Sequence, residues 1–327
     1  MKNEHDLNRR KFLGSASILA VGLCVMPKLV FSSPKKESYL LKLLQESPVI
    51  TIMRAAATAE IVSTKLRGNI TMLEGSGGNI SVLHGPEGKL MVDAGIGVSK
   101  PNVSAALSNI DSLPLKFLIN THWHFDHTDG NSWLHEAGAT IVAQENTRKH
   151  MEIQTRVDDW DYTFPPAPKA ALPTINFKQK HTMKFNGETI KLDHYNPSHT
   201  DSDISVYFKK ADVLHVADTF WNGHYPFIDY NTGGNINGMI EAAQRNVKRT
   251  TNKTIVIPGH GPVGNKSHLI EFRDMLITIR DKVASLKKQG MALDQVIAAK
   301  PTAAYDAKWG GFVINGSLFT MLVYKGV

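Results

Sequence analysis

The densest chemistry in this sequence is the run Thr121-His122-Trp123-His124-Phe125-Asp126-His127-Thr128-Asp129-Gly130. His122 and His124 are two apart, so at the extended end of a strand both rings project to one side. Asp126 and His127 follow on a turn and can face a neighbouring point. One short segment can therefore donate two nitrogens to one metal ion and an oxygen–nitrogen pair to a second. Imidazole and carboxylate without thiolate favour zinc, with iron or manganese as alternatives. Three later residues stand in comparable places. His199 lies in Asn196-Pro197-Ser198-His199-Thr200-Asp201, and Asp218 in Val216-Ala217-Asp218-Thr219. His260 lies in Ile257-Pro258-Gly259-His260-Gly261-Pro262. Each ends a predicted strand or turn, where open sheets place their chemistry.

The elements that must position these side chains are legible as an alternation of short strands and helices. Ile61 to Leu66, Ile70 to Leu73, Asn79 to Leu83 and Lys89 to Val92 read as strands separated by Gly-rich turns. Pro101 to Ile110 reads as a helix, and Leu115 to Ile119 as a buried strand leading into the histidine run. A helix around Asn131 to Ala137, the strand Thr140 to Ala143 and a helix from Gln144 to Gln154 follow. Residues 156–180, rich in Pro and aromatics, show no clear period and read as a long irregular loop of the kind that lines binding sites. Strands resume at His181 to Phe185, Thr189 to His194, Ile204 to Phe208 and Val213 to Val216. The helix Ile236 to Arg249, the strand Thr254 to Ile257 and helices near His268 to Lys288 and Leu293 to Ala299 complete the pattern. Two strand-rich halves with flanking helices predict an α/β protein with two packed sheets covered by helices.

The N-terminal segment reads as an address. Arg9-Arg10 precede an uncharged apolar stretch from Phe12 to Val25, followed by Ser32-Ser33-Pro34. A basic start and an apolar middle too short to span a bilayer comfortably are the marks of an export signal. The Arg-Arg-x-Phe-Leu order resembles a twin-arginine signal, the route for proteins exported already folded. We therefore expect residues 1–32 to be an export signal, 33–58 a linker with a helical lead-in, and 59–327 the functional domain in the periplasm or outside the cell. The one cysteine, Cys24, falls inside the signal, so a disulfide framework and Cys-based zinc fingers are excluded.

Composition sets the remaining bounds. The chain has 327 residues, of which 42% are hydrophobic and 20% charged, with a net charge of +7 and 14 histidines. That is ordinary globular composition with ample length for a core. The positive charge is spread along the chain without a dense Lys/Arg tract, which points away from a nucleic-acid partner. After removal of the signal no apolar run reaches membrane length, and a small molecule is the expected partner. Nothing here fixes an oligomeric state.

His122-x-His124-x-Asp126-His127, with His199, Asp218 and His260 downstream in order, resembles the metallo-β-lactamase fold superfamily over roughly residues 59–288. The resemblance implies a four-layer αβ/βα sandwich and two divalent metal ions. It assigns His122, His124 and His199 to a first site and Asp126, His127 and His260 to a second, with Asp218 bridging. Aspartate at 218, where β-lactamases of the family carry Cys or Ser, is similar to the glyoxalase II and lactonase branch. Asp93, in Leu90-Met91-Val92-Asp93-Ala94-Gly95, matches a position that supports the metal shell. The implied activity is hydrolysis of an ester, lactone, thioester or amide by a metal-bridging hydroxide, with Asp126 orienting it as the catalytic residue. The alternatives are a β-lactamase and an iron-dependent oxidoreductase resembling the persulfide dioxygenases. The tail after Lys288 lacks the basic features of a glutathione-binding region, which points away from a glutathione thioester. Trp160, Tyr162, Phe164, Trp221, His224 and Tyr225 are the candidate aromatic rim of the substrate site.

Overall fold

Apolar residues alternate along the strands with period two, and each alternate set goes to a different layer. In the computed structural model, which describes residues 47–327, Ile70, Met72, Leu83, Leu90, Val92, Ile119 and Val142 form one buried face. It packs against Ile190, Leu192, Ile204, Val206, Phe208, Val213 and Ile257 of a second sheet. The other face of the first sheet, with Leu73, Ile80, Val82, Met91, Leu118 and Ile141, meets Val103, Ala106, Leu107 and Leu134 from helices. The outer face of the second, with Leu214, Val216 and Val256, meets helical Ile236, Met239, Leu269 and Phe272. Helix, sheet, sheet, helix is the expected four-layer sandwich.

The chain enters through α1 (Pro48–Ala56), with Ser47 as N-cap and proline in the first turn, where its missing N–H costs nothing. Strands β1 (Val62–Lys65), β2 (Ile70–Glu74), β3 (Ile80–Gly85) and β4 (Gly88–Val92) form an antiparallel meander. Helix α2 (Lys100–Ile110) then crosses to β5 (Leu115–Ile119), parallel to β4. The histidine run forms the short α3 (Phe125–Thr128), followed by α4 (Asn131–Glu136), β6 (Thr140–Gln144) and α5 (Glu145–Glu152). The segment read as an irregular loop holds a two-stranded hairpin, β7 (Thr155–Val157) and β8 (Tyr162–Phe164), and then β9 (Ile175–Phe177). Strands of three residues are too short to show a period, which is why the sequence pattern concealed them. The first sheet has the order β1-β2-β3-β4-β5-β6-β9.

The second sheet comprises β10 (Lys180–Phe185), β11 (Glu188–His194), β12 (Ile204–Phe208), β13 (Val213–Trp221) and β14 (Ile255–His260), in that order. Its pairs are antiparallel except β13 with β14, which are parallel and joined through α6 (Ile236–Arg249). Both parallel strands run further than the apolar pattern predicts: β13 continues through Asp218 to Trp221, and β14 through Pro258 to His260. The long α7 (Lys266–Lys288) covers this sheet, and α8 (Leu293–Ala298), α9 (Asp306–Trp309) and α10 (Gly316–Lys325) follow. The last two were not read from the sequence. Among the described residues no helix is long and apolar enough to cross a membrane. The expected export segment, 1–32, lies outside the described residues.

Candidate metal centre

The two sheets converge at the C-terminal ends of their parallel strands, and all seven predicted site residues meet there. The loop after β5 brings His122 and His124, and α3 brings Asp126 and His127. The β11–β12 loop brings His199, β13 brings Asp218 and β14 brings His260. Ligating atoms of His122, His124 and His199 lie within 4.8 Å of one another. So do those of Asp126, His127 and His260, and those of His122, His127 and Asp218. Asp218 stands between the groups: one carboxylate oxygen is 3.1 Å from His127 Nε2, and the other is 3.4 Å from both His199 Nε2 and His260 Nε2.

Three of the imidazoles are oriented from behind. His127 donates from Nδ1 to Asp93 at 2.8 Å, and Asp93 also accepts from the Thr121 backbone N–H and hydroxyl, both at 2.7 Å. His124 pairs through Nε2 with Asp229 at 3.0 Å, which turns its Nδ1 toward His199 Nε2, 2.9 Å away. Asp229 in turn accepts from Thr232 Oγ1 at 2.6 Å, and that hydroxyl accepts from Trp123 Nε1 at 3.1 Å. His199 donates from Nδ1 to the Phe227 carbonyl at 2.8 Å. The His199 loop is tied by Asp203, whose carboxylate accepts from Ser198 Oγ and from the backbone N–H groups of His199 and Thr200 at 2.6–2.9 Å. Such outer partners fix the tautomer and direction of a metal-binding ring. Asp229, Phe227 and Asp203 were not singled out as site residues in the sequence. A buried-type carboxylate ending the apolar run Pro226-Phe227-Ile228 was the available signal for Asp229.

His122 Nε2 is buried without a hydrogen-bond partner, and His127 Nε2 and Asp218 Oδ1, 3.1 Å apart, are buried as an ion pair without a well-formed hydrogen bond. Buried polar atoms are normally paired, and leaving one unpaired costs about 1–3 kcal/mol. These three atoms, all aimed at one space, fit divalent cations. The backbone leaves that space deliberately clear. A Cβ on Gly78 would fall 2.2 Å from the His127 ring, and one on Gly259 would fall 1.9 Å from Asp218 Oδ1. Asp93 (φ 65°) and Ala217 (φ 44°) both adopt the left-handed region beside the cluster, a strain that concentrates at functional sites.

The electrostatics agree with a cation-hungry site. Burial opposes charge on His127, yet Asp126, Asp218 and Asp93 outweigh it and hold its pKa well above the ordinary value. Burial also opposes charge on His260, but Asp218 and Asp126 raise it to about 9. Burial works against ionised Asp218 and Asp126 too, and the neighbouring imidazoles, His127 first, keep both carboxyls below their usual range. Burial pushes His122 well below its ordinary value, with His127 adding to the effect. Without cations, protons on His127 and His260 balance the carboxylates; a divalent ion would displace them.

Residues 73–268 match the model of the metallo-β-lactamase superfamily. The chain belongs to that superfamily. Two hydroxyacylglutathione hydrolases are similar to it. The cytoplasmic isozyme of Saccharomyces cerevisiae is 24% identical over 169 residues, covering 49% of this chain and 55% of the yeast protein. The protein of Pelagibacter ubique is 26% identical over 113 residues, covering 34% of this chain and 38% of its own. The chain thus spans about half or less of these curated relatives. Among solved structures, a variant of the sec-alkyl sulfatase PisA1 superimposes with a TM-score of 0.63 at 13% identity, over 99% of this chain and 62% of its own. The metallo-β-lactamase from Pontibacter korlensis gives 0.54 at 18% identity, over 67% of this chain and 99% of its own. At such identities the likeness is one of fold. The match to the family model ends at residue 268, within α7, whereas the superposition on the sulfatase takes in 99% of this chain.

Two side chains of the expected aromatic rim lie against histidines of the cluster. Trp160 lies over His124 with ring centroids 4.9 Å apart, and Trp221 lies over His260 at 4.2 Å. Tyr162 and Phe164 instead pack beneath Trp160, with Phe125, Met53 and Val49. Tyr225 is core: it is fully buried, stacks on Phe319 at 4.7 Å and donates its hydroxyl to Asp306.

Proposed function

We propose that this protein is an exported dinuclear zinc hydrolase that cleaves a carbonyl substrate: an ester, lactone, thioester or amide. One observation carries the reading. Seven buried His and Asp side chains from both sheets converge in three groups whose ligating atoms lie within 4.8 Å of one another, and His122 Nε2 among them has no hydrogen-bond partner. His122, His124 and His199 would hold one cation, Asp126, His127 and His260 the other, and Asp218 both. Cations held there supply Lewis acidity and lower the pKa of water toward neutrality.

The chain's own groups do the rest. Asp93, Asp229 and the Phe227 carbonyl keep the ring nitrogens of His127, His124 and His199 aimed at the centre. Asp126, held ionised by His127 and His260, is placed to orient the attacking water. Burial of the cluster under Trp160 and Trp221 limits bulk water and strengthens each charge interaction. Aspartate at 218 supports a hydrolase of the hydroxyacylglutathione hydrolase kind over a β-lactamase, and the names of the two curated relatives support an acyl thioester as one substrate class. Export through the twin-arginine route rests on Arg9-Arg10 and the apolar stretch that follows.

The test is metal quantitation on purified mature protein, coupled to a screen of lactones, thioesters, esters and β-lactams with and without chelator. About two zinc ions per chain and chelator-sensitive turnover of a carbonyl substrate are expected. His124→Ala that retained full activity would refute the assignment.

A further inference from the structure

The cluster is not equally closed on all sides. His122, His124, His127, His199 and Asp218 are each at most 2% exposed, whereas Asp126 and His260 reach 9% and 8%. Among the described residues, solvent therefore meets the centre on the Asp126–His260 side, and a substrate must enter there. The opposite flank is sealed by Trp160, stacked on buried Phe227 at 4.6 Å and lying against His124.

The wall of the open side comes from the C-terminal segment. Phe312 lies 5.9 Å from the His260 ring, 6.0 Å from Trp221 and 4.7 Å from His224, centroid to centroid. Phe312 and its neighbour Val313 are nonetheless 38% and 44% exposed. Two adjacent large apolar side chains thus stand at the surface beside a buried ionic cluster. Their loop is fixed at both ends. Trp309 is buried against Phe272, and its carbonyl accepts from the Tyr225 N–H at 2.8 Å. Ile314, on the far side, is buried as well. Between these anchors Gly310 and Gly311 precede Phe312, and a Cβ on Gly311 would meet nothing within 4 Å. No steric need explains a glycine there, and its effect is to let the tip adjust.

We infer that Phe312 and Val313, with Trp221, form the specificity-determining wall of this enzyme and receive an alkyl or aryl group of the substrate beside His260. The inference rests on the metallohydrolase reading and adds the substrate class: one with an apolar rather than a charged peptide-like substituent on that side. Phe312 and Val313 stand beyond residue 268, where the match to the family model ends, and Trp221 stands within it.

The test uses cobalt-loaded mature protein and two small thiols, 2-mercaptoethanol and phenylmethanethiol, with binding followed by the thiolate-to-cobalt absorption band. In the wild type the aromatic thiol should bind about tenfold more tightly, the gain expected from burying roughly 55 Å² of apolar surface. In Phe312→Ala and in Phe312→Asp that preference should fall to within twofold, while the 2-mercaptoethanol constant stays within twofold of wild type. The unchanged constant shows that the folded centre is intact. Equal binding of both thiols by the wild type, or a preference that survives in both variants, would overturn the wall and leave the metal centre standing. Absence of a cobalt band with either thiol would overturn the metallohydrolase reading and the wall with it.

Discussion

Asp93 shows how much of this site is decided by single atoms. Its two oxygens take the Thr121 N–H, the Thr121 hydroxyl and the His127 Nδ1–H, so the residue fixes both a loop and a ring. Asp93→Asn replaces one acceptor with a donor and leaves His127 without a firm tautomer. It should weaken metal binding about 10–100-fold with the circular dichroism unchanged; competition with a chromophoric chelator measures this, and undiminished affinity would show that Asp93 does not govern the ring. His215 makes a different prediction. It is buried between the sheets, shares a 3.0 Å hydrogen bond with Ser81, and burial lowers its pKa to about 4. The unfolded chain takes up this proton near the ordinary value of 6.5, so the folded state loses stability as pH falls from about 6.5 toward 4. Relative to His215→Gln, the wild type should lose about 2 kcal/mol between pH 7 and pH 5, read from urea unfolding at each pH. A difference that does not move with pH would mean His215 is charged or hydrated in the fold.

At the level of elements, the ends of parallel strands carry the chemistry, and glycines hold the space between them open. Gly259 lies in β14 directly against Asp218, and Gly78 in the β2–β3 turn lies against the His127 ring. Gly259→Ala drives a methyl group into backbone and carboxylate at once, an overpacking cost of about 1–3 kcal/mol. The variant should bind its second metal at least tenfold more weakly, as equilibrium dialysis would show; full occupancy of both sites at wild-type affinity would contradict this role. The ligand positions were legible because the mainly apolar strands Leu115 to Ile119 and Val213 to Val216 are each followed within three residues by a His or an Asp, although β13 itself runs on to Trp221. The partners that aim the ligands were not legible. Asp229 is 105 residues from His124, and no local rule joins them. Phe312 likewise sits 52 positions beyond His260, in a segment without strand or helix periodicity. The hairpin of β7 and β8 escaped for another reason: three residues per strand leave no period to count.

For the whole molecule, the centre is a clasp between the two sheets. His122, His124, Asp126 and His127 hang from the first sheet, and His199, Asp218 and His260 from the second. Apolar packing between the sheets already holds them together through Leu90, Val92 and Ile119 against Ile204, Val206 and Ile257. The metal-free protein should therefore fold, with protons on His127 and His260 in place of cations. Binding to the folded state alone then adds stability by mass action. Free metal at 100 times the dissociation constant contributes about 2.7 kcal/mol per site, or about 5 kcal/mol for two. In a domain of this size that raises Tm by about 9 °C. Scanning calorimetry of the chelator-treated protein, with and without added zinc, measures it. The rise should grow with zinc concentration and be roughly halved in His260→Ala, which removes one ligand set while His122, His124 and His199 remain. A Tm indifferent to zinc would mean that the sheets are not joined through cations, and an unfolded metal-free chain would mean that apolar packing between them is insufficient on its own.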